Sequence, residues 1–596
     1  MKSLLLSLRA ALSLLVVLTL SALAQTKPTP PDIFPLEQAK AGMRGYALTV
    51  FEGATPERVD VEVLGVLKNV LGPKSDLILV RLHGPKIEHT GVLAGMSGSP
   101  VYLDGKLAGA LAYRIGQFSK EPIAGITPIA EMLEINEIDQ RPAAGKSFPA
   151  RPVLSAQKTS SAAGGDQIQQ YAQHLVPIEA PMVFSGFSEE AIRMFSDQLA
   201  ASGLRPVLGA GSASEELQPE PIEPGSAVSA VIVRGDMNIA STCTVTHADA
   251  QRLLACGHPL LQFGSVDMPM TKSRVLYSLA SPMNAIKIAT TTESIGSFVQ
   301  DRRTGILGRF GRDAQMIPVA LTVHSPAGPK RFRYEVLNNG KITPVLMMAT
   351  VFNALQGNNE YGEDITYRLQ GRIRVAGYPD VAMENMFAPS DASIPTAFGV
   401  AMSLGERFGR IYQNPYTTPE ISGVELDLDL VNERRAATLE SARVDVTEAR
   451  PGDEIVIETV LRPYRGDRIV RQIPVRIPTS TPQGALRILV SDGDTLDRVQ
   501  RITAMFSKRL DLGSTIATLN KEHANHRLYV SLLEPNPQAM VEDKVMPTLP
   551  LSVMNVMDGM RGTREMVVVG ESAVNEFSTP LDYVVSGAQI ITVTIK

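Results

Sequence analysis

Residues 95–113 have the sequence Gly-Met-Ser-Gly-Ser-Pro-Val-Tyr-Leu-Asp-Gly-Lys-Leu-Ala-Gly-Ala-Leu-Ala-Tyr, in which a serine between two glycines precedes two short apolar runs. The runs are joined by Asp104-Gly105, a dipeptide typical of the two-residue turn of a β-hairpin. Similar short apolar runs recur on both sides of this segment, from Ala41 to about Ile135. This part of the chain is therefore predicted to be a β-rich unit.

The serine at the start of this segment has the surroundings that a nucleophile needs. Glycines next to Ser97 allow a sharp turn without β-carbon clashes, and such a turn exposes both the hydroxyl and backbone N–H groups. By the geometry of chymotrypsin-like sites, the N–H groups of Gly95 and Ser97 would form the oxyanion hole. Taken alone, the motif is equally compatible with an inert turn.

The wider segment from Gly42 to Ile135 resembles the SpoIVB family of serine peptidases, in which Gly-Met-Ser-Gly-Ser-Pro precedes a strand, a Gly-Lys turn and a second strand. A later Gly- and Ile-rich stretch of that family is matched by residues 123–128. The resemblance implies that Ser97 is the nucleophile, with Ser99 as the alternative. It also implies that the substrate is a protein or peptide and that neither a metal nor an organic cofactor is needed.

A serine nucleophile needs a base, and His258 is the candidate among eight histidines. It lies in Cys256-Gly257-His258-Pro259 at the end of a predicted strand, and in SpoIVB peptidases the catalytic histidine occupies such a Gly-His pair. The resemblance continues through residues 300–308. In the sporulation peptidase the His segment precedes the Ser segment, whereas here the order is reversed, as in a circular permutation. A structural histidine in a Gly-Pro turn is the alternative interpretation.

The third member of a triad is open. Asp76 begins a strand pattern like the Asp strand of trypsin-like enzymes, and Asp267 follows His258 by nine residues. Either can equally be a solvated surface charge, and a Ser–His dyad is a further possibility. We take Asp76 as the predicted orienting acid.

Cys243 and Cys256 are the chain's two cysteines. If Thr246 pairs with Leu253 across a hairpin turn, residue 243 lies opposite residue 256, within reach of a disulfide. Two buried free thiols are the equal alternative.

The N-terminal residues and the composition of the chain allow predictions about its compartment and its partners. Residues 1–24 combine a basic start, a short apolar core and an Ala-x-Ala exit, which predicts a signal peptide and export to the periplasm or the extracellular space. No later stretch is long and apolar enough to predict a membrane span. The 57 basic residues against 62 acidic ones, giving −5, do not suggest nucleic acid as a partner.

The predicted fold class is mainly β, with a chymotrypsin-like double β-barrel assembled from two separated segments, a C-terminal β-sandwich and a small α+β tail. The predicted units are a signal peptide (1–24), a Ser-containing half (25–140), a linker (141–175), a small α/β insertion (176–224), a His-containing half (225–400), an immunoglobulin-like β-sandwich (401–480) and a C-terminal α+β region (481–596).

The sequence thus predicts an exported serine endopeptidase acting on envelope or extracellular proteins. A catalytically inactive peptidase-like binding or scaffold protein is the rival hypothesis. Self-cleavage alone, with the linker at 141–170 as the accessible site, is a third.

Overall fold

The computed structural model of the protein describes residues 32–116, 121–135, 174–201, 203–204, 206–209, 217–281, 285–357, 364–391, 394–501, 510–534, 538–541, 544–546, 550–558, 566–569 and 572–596. The predicted signal peptide at 1–24 and the linker segment at 141–170 lie outside these residues.

The first unit is a closed barrel of six antiparallel strands. Its strands follow one another in the order β4-β1-β2-β3-β6-β5, and β5 pairs back with β4. At the β4–β5 hairpin predicted from the sequence, Asp104 and Gly105 both have positive φ (48° and 75°), as a type I′ turn requires. A seventh strand, β7, adds to the edge of β5. The strands are β1 (Arg44–Thr49), β2 (Glu57–Leu67), β3 (Leu77–His83), β4 (Pro100–Leu103), β5 (Lys106–Ile115), β6 (Ile123–Pro128) and β7 (Leu175–Pro177).

The second unit contains another closed barrel of six antiparallel strands. The order is β10-β13-β14-β15-β12-β11, and β11 pairs back with β10. The strands are β10 (Ala227–Gly235), β11 (Asn238–Ala248), β12 (Arg252–Ala255), β13 (Gly264–Leu279), β14 (Ile286–Arg302) and β15 (Gly305–Phe310).

Further strands extend the second barrel on both sides. Strands β8 and β9 join the edge at β11, and β17, β16, β20, β18 and β19 continue the sheet from β10. The predicted α/β insertion at 176–224 is therefore part of the second sheet, because β8 pairs with β11. These strands are β8 (Met182–Ser185), β9 (Pro206–Leu208), β16 (Met316–Ser325), β17 (Gly328–Leu337), β18 (Thr366–Val375), β19 (Val381–Phe387) and β20 (Ile421–Val431).

The C-terminal unit is a β-sandwich of a four-stranded and a five-stranded sheet, with a separate three-stranded sheet beside it. One apolar core joins residues from both faces, including Ile457, Val475, Ile488 and Val593. The strands are β21 (Ala436–Val444), β22 (Glu448–Ala449), β23 (Glu454–Pro463), β24 (Ile469–Arg476), β25 (Gly484–Ser491), β26 (Arg527–Glu534), β27 (Gln538–Val541), β28 (Lys544–Met546), β29 (Met566–Val569), β30 (Ser572–Pro580), β31 (Val584–Ser586) and β32 (Ala588–Ile595).

Two predicted boundaries in this region do not match the structure. Strand β20, assigned from its alternating pattern to a sandwich at 401–480, pairs with β16 and β18 of the second sheet. The segment 481–596 is not a separate tail, because β25, β26 and β32 supply the facing layer of the sandwich. Alternation indicates a half-buried strand but does not identify its partner.

Helices cover the sheets at few places. Helices α5 and α6 bury apolar side chains in the core of the second unit, including Phe352 and Phe408. The helices are α1 (Pro85–Thr90), α2 (Ile129–Leu133), α3 (Glu189–Met194), α4 (Ser196–Ala201), α5 (Thr343–Gln356), α6 (Thr396–Tyr412), α7 (Gly493–Arg501), α8 (Leu512–Leu519) and α9 (Leu551–Asp558). The mainly β class predicted from the sequence is confirmed. Among the described helices, none has the length and apolarity that crossing a membrane requires.

Candidate active site

Ser97 lies in a tight turn of the first barrel. The N–H of Ser99 donates to the Met96 carbonyl at 3.0 Å, and Gly98 has a φ of +95°. This is the conformation that a type II turn demands of its third residue, and glycine is favoured there. We call residues 96–99 the Ser97 turn. The Ser99 hydroxyl donates to the Met96 carbonyl at 2.7 Å, whereas the buried Ser97 hydroxyl has no hydrogen-bond partner among the described residues.

The Ser97 turn is bound to the second barrel through strand β11. The N–H of Thr244 donates to the Ser97 carbonyl at 2.8 Å, and the Thr246 hydroxyl donates to the Gly98 carbonyl at 2.8 Å. A β-carbon added to Gly98 would lie 1.9 Å from the Thr244 carbonyl oxygen and 2.5 Å from the Cys256 nitrogen. The backbones of the two barrels therefore touch at this point.

The segment that carries His258 makes the reciprocal contact. It leaves β12 through Cys256 and Gly257, which have φ values of 68° and 69°. The Gly257 carbonyl accepts a hydrogen bond from the Thr127 hydroxyl of the first barrel at 2.7 Å. A β-carbon on Gly257 would lie 3.0 Å from the Ala110 side chain of β5. Each segment thus packs against the other's barrel, and the structure brings the two sequence-predicted regions together.

The imidazole of His258 is oriented by a backbone carbonyl. Its Nδ1 lies 2.8 Å from the Pro259 carbonyl oxygen, which can only accept, so Nδ1 carries the proton and Nε2 keeps its lone pair. Nε2 is buried and meets no hydrogen-bond partner with good geometry among the described residues, although the backbone of Ile178 lies close enough to the ring to affect its pKa. Burial lowers the pKa of His258, opposed by the backbone of Pro259 and of Ile178. A neutral ring with a free Nε2 is the form a general base requires.

Neither predicted acid is hydrogen-bonded to His258. Asp76 accepts the N–H of Asn69 at 2.9 Å within its own loop. Asp267 accepts the N–H of Gln315 at 2.9 Å and pairs with Arg312. The role predicted for Asp76 therefore has no supporting contact, since the Pro259 carbonyl occupies the position on Nδ1.

A different carboxylate, Asp301, holds the loop that follows His258. It is fully buried and accepts the N–H groups of Leu260 at 2.8 Å, Leu261 at 2.7 Å and Phe263 at 3.4 Å. Burial raises the pKa of this carboxyl, and the backbone donors oppose that rise. Asp301 lies in the stretch 300–308 that the family resemblance singled out, but the sequence gives no reason to expect a buried clamp there.

The two predicted oxyanion donors differ in whether their N–H groups are already hydrogen-bonded. The N–H of Gly95 donates to the Glu179 carbonyl at 3.0 Å, while no hydrogen bond of the described residues uses the N–H of Ser97. Gly95 has a φ of +93°, a left-handed backbone conformation that favours glycine. This conformation sets the direction of its N–H group. Use of both donors by a substrate would require Glu179 to move away.

A buried amine, Lys287, lies beside the same turn. Its N–H donates to the Ala94 carbonyl at 3.1 Å, and a β-carbon on Gly95 would lie 3.5 Å from its Cβ and Cδ. Its Nζ donates to the Thr49 hydroxyl at 2.7 Å. Burial lowers the pKa of this amine to about 7. Sequence reasoning missed Lys287, because nothing in the pattern around it indicates full burial.

The cysteines Cys243 and Cys256 are joined by a disulfide, with their Cα atoms 5.3 Å apart. The hairpin register differs from the predicted one, since Leu253 pairs with Ala248 rather than with Thr246 and a bulge follows. The bridge links β11, which binds the Ser97 turn, to the segment that carries His258.

Other features lie away from these residues. His324, Asp427 and Asp429 are exposed, and their ligand atoms lie within 4.8 Å of one another, so they could hold a metal ion, but no contact connects them with Ser97. An open cleft of about 580 Å³ is lined by residues that include Phe187, Asp236 and Lys330, and it contains neither Ser97 nor His258.

Comparison with protein-family models, with curated proteins and with solved structures finds no match to this chain. What the site can do must therefore be inferred from its own residues and contacts.

Proposed function

We propose that this protein is a serine endopeptidase in which His258 activates Ser97. The observation that carries the proposal is the reciprocal docking of the Ser97 turn and the His258 segment across the two barrels. It brings to one interface a hydroxyl and an imidazole nitrogen that are both buried and both without a partner among the described residues. Buried polar atoms without partners cost free energy, and the presence of two of them on the segments that dock here supports a functional role.

The proposed reaction is acyl transfer. His258 Nε2 accepts the Ser97 proton as the hydroxyl oxygen attacks a peptide carbonyl, and the same imidazole later protonates the leaving amine. The N–H of Ser97, together with that of Gly95 once Glu179 has moved, would hold the oxyanion. Water then hydrolyses the ester. This chemistry needs neither a metal ion nor an organic cofactor.

The architecture supports the proposal. Two closed six-stranded antiparallel barrels, with the segments of Ser97 and His258 where the barrels meet, support a chymotrypsin-like double barrel as the proposed architecture. The serine is in the first barrel and the histidine in the second, which is the reversed order noted against the SpoIVB family. A catalytic arrangement is defined by geometry rather than by chain order, so the reversal is compatible with activity.

The proposed site of action is the periplasm or the extracellular space, with envelope or extracellular proteins as substrates. The basic, apolar and Ala-x-Ala pattern of residues 1–24 supports export. The bond between Cys243 and Cys256 is of the kind that persists in oxidising compartments.

A second candidate is a catalytically inactive peptidase-like scaffold. It is favoured by the complete burial of Ser97 and by the carbonyl of Glu179 on the N–H of Gly95. The two candidates differ in one measurable property, the reactivity of the Ser97 hydroxyl.

Covalent labelling with a fluorophosphonate probe tests that property. We expect the full-length protein to be labelled, Ser97→Ala to lose the label, and Ser99→Ala to keep it. Ser99→Ala is the matched control, because it removes a hydroxyl two residues away that is already bound to the Met96 carbonyl. His258→Gln should slow labelling by about 100-fold or more, as loss of a general base does. Undiminished labelling of folded Ser97→Ala would remove Ser97 from the mechanism.

A further inference from the structure

Residues 175–180, Leu-Val-Pro-Ile-Glu-Ala, cross the contact between the two barrels, and we call them the strap. Its first part is strand β7, which pairs antiparallel with β5 and matches Pro177 with Tyr113. The N–H of Ile178 then donates to the Ala112 carbonyl at 2.8 Å. The strap is therefore an added edge strand that runs towards the Ser97 turn.

Beyond the strand, the strap binds groups on both sides of the proposed active site. The Glu179 carbonyl accepts the N–H of Gly95 at 3.0 Å. The next carbonyl, of Ala180, accepts the hydroxyl of Ser241 in the second barrel at 3.1 Å. Two successive carbonyls are thus held by opposite barrels.

The side chains of the strap also have defined environments. Ile178 is fully buried and belongs to the apolar cluster of the first barrel that includes Leu93 and Met96. The Glu179 carboxylate lies 3.4 Å from the Arg114 guanidinium. One position of the strap is therefore aliphatic and buried, and the next is acidic and paired with a cation.

This arrangement has the features of peptide recognition by strand addition. In that mode, backbone hydrogen bonds to a free strand edge supply affinity and pockets for individual side chains supply specificity. A peptidase also needs the reactive carbonyl at its oxyanion donors. The Glu179 carbonyl occupies one such donor, while the N–H of Ser97 has no acceptor among the described residues.

We propose that the strap occupies the substrate site, which binds an extended peptide with an aliphatic residue in the Ile178 position followed by an acidic residue. This inference rests on the proposed peptidase function for its catalytic consequence. A segment of the same chain competes at an effective concentration in the millimolar range, on the order expected for a short tether. The folded chain is accordingly a latent form, and substrates enter when the strap is displaced.

Ile178→Asp tests the strap directly, because a carboxylate in the apolar cluster disfavours the docked position. We expect fluorophosphonate labelling of Ser97 in the full-length variant to be at least about tenfold faster than in the wild type. A single cooperative thermal transition checks that the variant is folded. Equal labelling rates in the two folded proteins would overturn the strap as an occluding element.

Ser241→Ala offers a milder second test should Ile178→Asp fail to fold. It deletes only the hydroxyl that binds the Ala180 carbonyl, and the expected gain in labelling rate is roughly fivefold, the effect of one hydrogen bond. Ser278→Ala is the matched control, since its hydroxyl donates to a first-barrel carbonyl, that of Phe51 at 2.7 Å, away from the strap. A gain in the control equal to that in Ser241→Ala would contradict the proposal.

A peptide-binding experiment tests the proposed strap site independently of the proposed peptidase function. A fluorescent Leu-Val-Pro-Ile-Glu-Ala peptide should bind the Ile178→Asp protein and bind the wild type at least tenfold more weakly. A peptide with Asp in place of Ile is the control and should not bind. Binding without any labelling of Ser97 would support the strap site and overturn the peptidase function. Labelling of Ser97 without binding would overturn the strap site alone.

Discussion

Lys287 places an amino group in a fully buried position, held by the Thr49 hydroxyl at 2.7 Å. Among the described residues no carboxylate lies within ion-pair distance of it. Desolvation disfavours the charged form of such a group, and burial lowers its pKa to about 7. The folded protein therefore releases a proton near neutral pH that the unfolded chain keeps until about pH 10.

Lys287→Met should remove the pH dependence that follows from this proton. Between about pH 7 and pH 10 the unfolded chain binds one proton more than the folded one, so the wild type gains about 1.4 kcal/mol of unfolding free energy per pH unit. Urea unfolding at pH 7, 8 and 9 should show this gain relative to Lys287→Met. Thr49→Val keeps the amine and should keep the gain. If the unfolding free energies of wild type and Lys287→Met changed equally with pH, the lowered pKa of Lys287 would be contradicted.

Single residues differ in how far the sequence can reveal them. Ser97 and His258 can be proposed from the sequence, because the glycines beside them indicate special backbone geometry in the local sequence. Lys287 and Asp301 were not found, because full burial arises from distant packing and leaves no local signal. The predicted Asp76 failed to reach His258 for the related reason that a lone carboxylate gives no indication of its partner.

Pairing between elements was predictable in kind but not in register. The hairpin of β11 and β12 was expected, yet its turn is set by Asp249, whose carboxylate accepts the N–H groups of Gln251 and Arg252 at 2.8 and 2.9 Å. This Asx-type turn shifts the pairing so that Ala248 faces Leu253. The bulge that follows brings Cys243 and Cys256 within disulfide reach, as the predicted register without a bulge would also have done.

Ion pairing also joins elements in the C-terminal sandwich. His523 lies between Asp497 of α7, at 2.7 Å from Nδ1, and Glu576 of β30, at 2.9 Å from Nε2. Burial opposes the charged ring, but the hydrogen bonds to the two carboxylates outweigh it and raise the pKa of His523 to about 9. The charged imidazole thereby connects the helix to the sheet.

His523→Gln should destabilise the protein only where the imidazole would be charged. The raised pKa contributes stability that is complete below about pH 6.5 and lost as pH rises through about 9. Glu576 is 36% exposed, although His523 and Asp497 are each only 10% exposed, so solvent screens part of the interaction. We therefore expect a deficit of about 1 kcal/mol at pH 6 that vanishes at pH 10. Urea unfolding of both proteins at the two pH values measures it. An equal deficit at both would instead indicate lost packing against Tyr529.

At the scale of the whole molecule, two closed barrels were predicted and the assignment of outer strands was not. Barrel closure needs the pairing of β5 with β4, whose hairpin signal is local, but also pairings between distant strands, such as β1 with β4 and β10 with β13. The outer strand β20 pairs with β16 outside the barrels. The alternation of apolar residues in β20 predicts a strand correctly and says nothing of which sheet it joins. Domain boundaries inherit that ambiguity, so the sandwich begins near residue 436 and not at 401.

The backbones of the two barrels approach each other closely at Gly98, and Gly98→Ala should disrupt the contact there. The added carbon would meet the Thr244 carbonyl oxygen at 1.9 Å, in a residue whose φ of +95° already disfavours a side chain. Gly105→Ala is the matched control, since its φ is +75° but nothing lies within 4 Å of the added carbon. We expect about 1 kcal/mol of destabilisation in the control and about 3 kcal/mol or more in Gly98→Ala, with loss of Ser97 labelling only in the latter. Urea unfolding measures both losses. Equal stability of the two variants would mean that the barrels do not meet through the Ser97 turn, and the pairing of Ser97 with His258 would lose its structural basis.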